Sequence, residues 1–271
     1  MATETVYTTG HARRVLEVVD AGLCKGLGFP EPGEMCVEAA VSYALGLPHG
    51  DDPGCVNRAV RQFKIRLNDA MWSSNVARAK GLRALAVAQL GSKDAIDGRE
   101  FARRLAEKII RVLVPIALRA AAECVPSHAA VLGAAAGECE RVGTRGSANA
   151  ACKVANSAAA AAAAAYAADA ADAAATAAYA AYAADADADA DAYAYAADAD
   201  ADAAVVVAYA AAAYAADAAA ADAAVVVAYA GRDRILSLGA QLAFDVLREL
   251  NAPGVALWDA LNAGDSRGTR N

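Results

Sequence analysis

The stretch Asp185–Asp202, DADADADAYAYAADADAD, alternates alanine with aspartate or tyrosine and so carries the period of two that marks a β-strand. The residue types contradict the period. Alanine is the strongest helix former, and alanine and aspartate are both poor in strands, so propensity assigns the stretch to helix. At 100° per residue from Asp185, Asp185, Asp189 and Asp200 fall between about 0° and 60°, and Asp187, Asp191, Asp198 and Asp202 between about 200° and 260°. Two acidic stripes then frame two alanine faces. Like charges four residues apart, such as Asp185 and Asp189, oppose the helix by about 0.2–0.5 kcal/mol per pair, so it needs partners within the chain or from another copy.

The stretch belongs to a longer tract. Ser157–Ala230 holds 47 Ala, 11 Asp, 8 Tyr and 6 Val in 74 residues, with no Gly or Pro, which leaves tyrosine as the groove filler between close-packed helices. Tyr182, Tyr193, Tyr195, Tyr209, Tyr214 and Tyr229 are the expected packing and interaction residues. One straight helix of this length would reach about 110 Å. The segment ADAAVVVAYA occurs at 201–210 and again at 221–230. A 20-residue offset turns a helix by about 200° beyond whole turns, so either the chain folds back between the copies or the repeat records slippage of the coding DNA.

Residues 1–146 read as an ordinary helical domain. Val15, Leu16, Val19 and Leu23 mark a first amphipathic helix, and PGEMCVEAAVSYALGL a second, with Pro and Glu in its first turn. Its core side runs through Met35 or Cys36, Ala40, Tyr43 or Ala44, and Leu47. After the turn-rich PHGDDPGC, Val56, Val60, Phe63 and Leu67 form a core-facing stripe. Further helices are expected near 75–90, over 98–124 with a kink or split at Pro115, and near 127–141. Gly231 closes the tract, and residues 232–271 supply a helix through Ile235, Leu238, Leu242 and Val246 that packs on the first domain, followed by a short helix and a frayed tail. The expected architecture is all-α, with a helical domain over 1–146, a low-complexity helical tract over 147–231 packed as a bundle, and a C-terminal helix returning to the core.

Charge is unevenly placed: residues 1–153 carry 20 basic and 16 acidic groups, 154–231 carry 11 Asp and no base, and 232–271 carry five of each. The acidic tract therefore suits a basic partner. Six cysteines without a C-x-x-C pair indicate reduced thiols and a cytoplasmic protein. Charges interrupt the N-terminus where a secretion signal needs its apolar run, and aspartate interrupts the alanine tract, so no membrane partner is expected.

Two clusters could carry chemistry. The loop LPHGDDPGC gathers His49, Asp51, Asp52 and Cys55, the groups of an acid/base pair, a thiol with its base, or part of a metal site. Against that, Asp51 and Asp52 suit turn and cap positions, and Cys55 suits a buried helix start. Arg58, Arg61, Lys64 and Arg66, followed by Arg78, Lys80 and Arg83, form a candidate phosphate-binding face, set against the reading of a solvated helix surface. No phosphate-loop, zinc-protease or nucleophile-elbow motif is present, and no cofactor is expected.

The segment PGEMCVEAAVSYALGLPHGDDPGCV, followed at a distance by the Ala/Asp/Tyr tract, resembles a group of alanine-rich proteins of bacteria and their phages. That resemblance implies no activity and transfers no residue role. In composition the tract is also similar to alanine-rich antifreeze helices, but it has one threonine, Thr176, where they present rows. The expected function is a non-enzymatic structural or protein-binding helical module, self-associating through alanine faces. The alternatives are a nucleic-acid-associated protein whose acidic tract competes as a phosphate mimic, a small enzyme or ligand binder at His49–Cys55, and ice binding.

Overall fold

The computed structural model describes residues 6–124, 126–163 and 222–268. Among them the protein is all-α: α1 (Thr9–Asp20), α2 (Val37–Ala44), α3 (Arg58–Asp69), α4 (Asn75–Ala88), α5 (Gly98–Cys124), a 3-10 turn at Pro126–His128, α6 (Ala129–Val142), α7 (Arg145–Ala163), α8 (Asp222–Glu249) and α9 (Pro253–Gly268). The stretch Asp185–Asp202 lies outside the described residues. So do Thr176, Tyr182, Tyr193, Tyr195, Tyr209 and Tyr214, whereas Tyr229 is in the α8 backbone with its side chain outside them.

The chain forms two compact units, Met1–Asp69 with Ser74–Phe101 and Ala240–Asn271, and Ala70–Ser73 with Ala102–Gly239. In the first, α4 is the central helix, packed against α1, α2 and α9. Its Leu82 and Leu85 meet a core that includes Val15, Val19, Val60, Phe63, Leu67 and Val255. Arg83 ties three helices: its guanidinium makes a bidentate pair with Asp20 at 2.7 and 3.0 Å and lies 5.7 Å from the Trp258 ring centre. Trp258 in turn meets Phe244 edge to face, and Arg248 pairs with Asp259, joining α8 to α9. Gly254 lets the first turn of α9 approach the carbonyls of Val87 and Ala88 at the end of α4, where any Cβ would collide.

In the second unit, α6 and α7 form a helical hairpin. Gly143 turns it in the left-handed conformation, φ 64°, and its N–H bonds the Cys139 carbonyl at 2.9 Å. Arg111 of α5 donates to the carbonyls of Glu140, Arg141 and Val142 at 2.7, 2.9 and 2.8 Å, satisfying the open end of α6.

Four expectations need correction. Helix α2 starts at Val37, not near Pro32 and Glu34, because Gly33 is left-handed (φ 92°) and Cys36 is an extended N-cap whose sulfur accepts from Ala39 N–H at 3.4 Å. On α2 Ala40 and Ala44 face the core, while Tyr43 and the following Leu47 face solvent. Helix α5 runs through Pro115, so of the expected kink or split the split does not occur, and α8 continues through Gly231, so the helix does not end there.

Candidate functional site

Two loops of the first unit meet beside α2. In the loop after α1, Cys24 N–H bonds Met35 O at 2.9 Å, Phe29 N–H bonds Glu34 O at 2.8 Å and Cys36 N–H bonds Leu27 O at 3.2 Å, making a tight turn with Leu27 and Phe29 at its tip. Gly28 is left-handed there, φ 69°, and a Cβ would strike the Glu34 carbonyl and the Cys24 sulfur. The loop after α2 is fixed by Ser42 Oγ–H donating to Gly50 O at 3.1 Å. His49 Nε2 joins the loops by donating to the Gly28 carbonyl at 3.1 Å. Consequently Leu27 and Phe29 on one side, Tyr43 and Leu47 on the other, stand exposed by 44%, 69%, 46% and 41%. The His49–Gly28 bond thus joins the two loops that carry the exposed Leu27, Phe29 and Leu47, with Tyr43 at the end of the helix that precedes the second loop.

Three of the four groups of LPHGDDPGC are separately committed, and the fourth, Asp51, lines a cleft. His49 holds Gly28, and Asp52 accepts from Gly54 N–H at 3.1 Å while pairing with Arg61 at 2.6 Å. Cys55 is buried beside the Tyr7 hydroxyl, and burial pushes its thiol up, away from the reactive thiolate. Asp51 lines a cleft of about 50 Å³ with Gly26, Leu27, Cys36, Val37, Ile65, Asn68 and Asp69. Among the described residues no group of three or more His, Cys, Asp or Glu could hold a metal.

Beneath the loops lies a feature the sequence reading missed. Lys64 of α3 and Glu38 of α2 are both fully buried, with Nζ and Oε2 3.2 Å apart, and Gln89 at the end of α4 donates to the same Glu38 oxygen at 3.2 Å. Burial pushes the Glu38 carboxyl up and the Lys64 amine down, and their mutual attraction opposes both shifts. Glu38 Oε1, Gln89 Oε1 and Lys64 Nζ find no hydrogen-bond partner among the described residues, the Lys64 contact with Glu38 being an ion pair. A signal was present: Lys64 falls four residues after Val60 and three before Leu67, the spacing of the apolar stripe itself.

The expected phosphate-binding face is corrected by the same burial. Lys64 is inside, and so is Arg78, which donates to Asn68 O at 2.7 Å, Leu23 O at 2.8 Å and Asn75 Oδ1 at 2.7 Å. Arg61 and Arg83 pair with Asp52 and Asp20, and Arg58, Arg66 and Lys80 are exposed. A separate apolar groove of about 350 Å³ runs between α6 and α7 in the second unit, lined chiefly by Val131, Ala134, Ala150 and Val154. No helix among the described residues is long and apolar enough to cross a membrane. Comparison with protein-family models, with curated proteins and with solved structures finds no match.

Proposed function

We propose that the protein is a non-enzymatic helical module that binds another protein through the surface formed by Leu27, Phe29, Tyr43 and Leu47. The observation that carries this reading is the exposure of Leu27, Phe29 and Leu47 on two loops joined by the His49–Gly28 hydrogen bond, together with Tyr43 at the end of α2. Apolar area held in place before binding loses little entropy on docking, which is what a recognition surface requires. The buried Glu38–Lys64 pair supports it from below, since charges with strict geometric needs fix how α2, α3 and α4 meet. Cys24, Cys36, Cys55 and Cys139 carry thiols outside any disulfide among the described residues, and the reducing cytoplasm is the compartment this reading assigns to the protein. Self-association through the alanine faces remains part of the proposal for the tract.

Panning a phage-displayed library of random 12-residue peptides against the full chain tests it. Binders that lose at least ten-fold in affinity on the Phe29→Asp/Leu47→Asp variant support the reading. If no binders emerge, or if those that do ignore both substitutions, the surface is not a docking site.

A further inference from the structure

Resting on that protein-binding reading, the charge around the surface specifies its partner: we infer that it receives a basic, apolar peptide segment, with one lysine or arginine head seated in the cleft between Asp51 and Asp69. The apolar centre has an acidic rim. Across the two loops Glu31, Glu34 and Asp51 are exposed, Asp52 being paired with Arg61, against one exposed base on those loops, Lys25, and Arg14 held at the Ala44 carbonyl beside Tyr43. Glu31 and Glu34 are fixed beside Phe29, since Glu31 N–H bonds Phe29 O at 2.8 Å and Glu34 N–H bonds Glu31 O at 2.9 Å.

The cleft sharpens the selection from charge to shape. Leu27, Val37 and Ile65 supply an apolar wall and Asp51 and Asp69 the carboxylates, in about 50 Å³. That volume suits an amine or guanidinium head with its last methylenes, and falls well short of the roughly 300 Å³ or more of a metabolite pocket. Asp69 Oδ1 already accepts from Gly26 N–H at 2.8 Å and from Asn68 Nδ2 at 2.9 Å, which orients the carboxylate and leaves its second oxygen for a ligand. Asp51 has no hydrogen-bond or ion-pair partner among the described residues, so an incoming cation displaces no internal contact. A lysine or arginine stem packs on apolar side chains while its head meets carboxylates, and this cleft offers both. The chain's own acidic tract is excluded as the occupant by like charge, because residues 154–231 contain no base.

The test uses peptides selected as above on the full chain. Expected are at least a three-fold excess of lysine and arginine over the unselected library, a ten-fold or greater loss of affinity on Asp51→Asn/Asp69→Asn, and weakening between 50 and 300 mM salt. Asparagine keeps the oxygen that Gly26 and Asn68 use, and a circular dichroism melt of the double variant confirms that the unit stays folded. Binders that need Phe29 and Leu47 but show no basic excess and bind the asparagine variant equally would overturn this inference while leaving the protein-binding reading intact. Light scattering that reveals a dimer dissolved by Phe29→Asp would overturn it in favour of a second copy as the occupant.

Discussion

Lys64 Nζ stands 3.2 Å from Glu38 Oε2 with both side chains fully buried, so the interior of the first unit is organised around a charge pair that solvent cannot reach. Removing one member leaves an uncompensated buried charge, whereas removing both leaves space that apolar groups can fill. Lys64→Met is therefore expected to cost about 3–5 kcal/mol, and Lys64→Met with Glu38→Leu to restore most or all of that loss. Urea denaturation of the two variants measures it. A double variant as unstable as the single one would show that the pair contributes net stability.

Thiol ionisation sets an alkaline limit. Burial raises the Cys36 thiol from 9.0 to about 11, and likewise Cys139. A group that holds its proton more tightly when folded adds stability that is complete below its unfolded pKa and is lost as pH rises through the folded one. The window here is pH 9 to 11. Lys64 works in the opposite sense, since its lowered pKa makes its share largest at high pH. Comparison with Cys36→Ser, which retains an N-cap oxygen, isolates the thiol. The variant's urea midpoint should fall less steeply than the wild-type midpoint between pH 9 and 11, and parallel curves would refute the assignment.

At the end of α6, Gly143 and Arg111 are expected to be coupled. Gly143→Ala places a β-carbon in the left-handed region and against the Arg111 guanidinium, with an expected cost of about 2 kcal/mol, of which about 1 is conformational. In an Arg111→Ala background the extra cost should shrink to that conformational part. Thermal unfolding of the four proteins gives the coupling, and full additivity would show that the guanidinium yields freely.

Arg78 cannot be replaced by lysine. Its planar fork serves two carbonyls and Asn75 from a buried position, and a single ammonium cannot reproduce those directions. Arg78→Lys is expected to lower stability by about 2–4 kcal/mol, read from urea midpoints. An unchanged midpoint would place those carbonyls in contact with water.

The all-α class, the stripe Val56–Val60–Phe63–Leu67 and the span of α5 were legible because apolar spacing reports directly on the face a helix buries. What escaped is long-range. Lys64 looked like a solvent group because its partner, Glu38, comes from another helix 26 residues earlier, and no local pattern announces such a pairing. Arg78 escaped for the same reason, its acceptors being backbone carbonyls brought together only by packing. Of the candidate site, the loop around His49 was visible as turn chemistry. Its role as a clasp on Gly28 needed the fold, as did the outward turn of Tyr43 and Leu47.

The first unit is completed by residues 240–268, which follow its other segments only after the whole of 102–239. Its core thus closes late in synthesis, when α9 reaches α1 and α4. Closure entropy grows only logarithmically with the length of chain between the joined parts. Treated as an unstructured connection, 102–239 could lose one 20-residue period holding one copy of ADAAVVVAYA and change that term by only about 0.1 kcal/mol. Gains or losses of repeats are therefore nearly silent for the closure of the first unit.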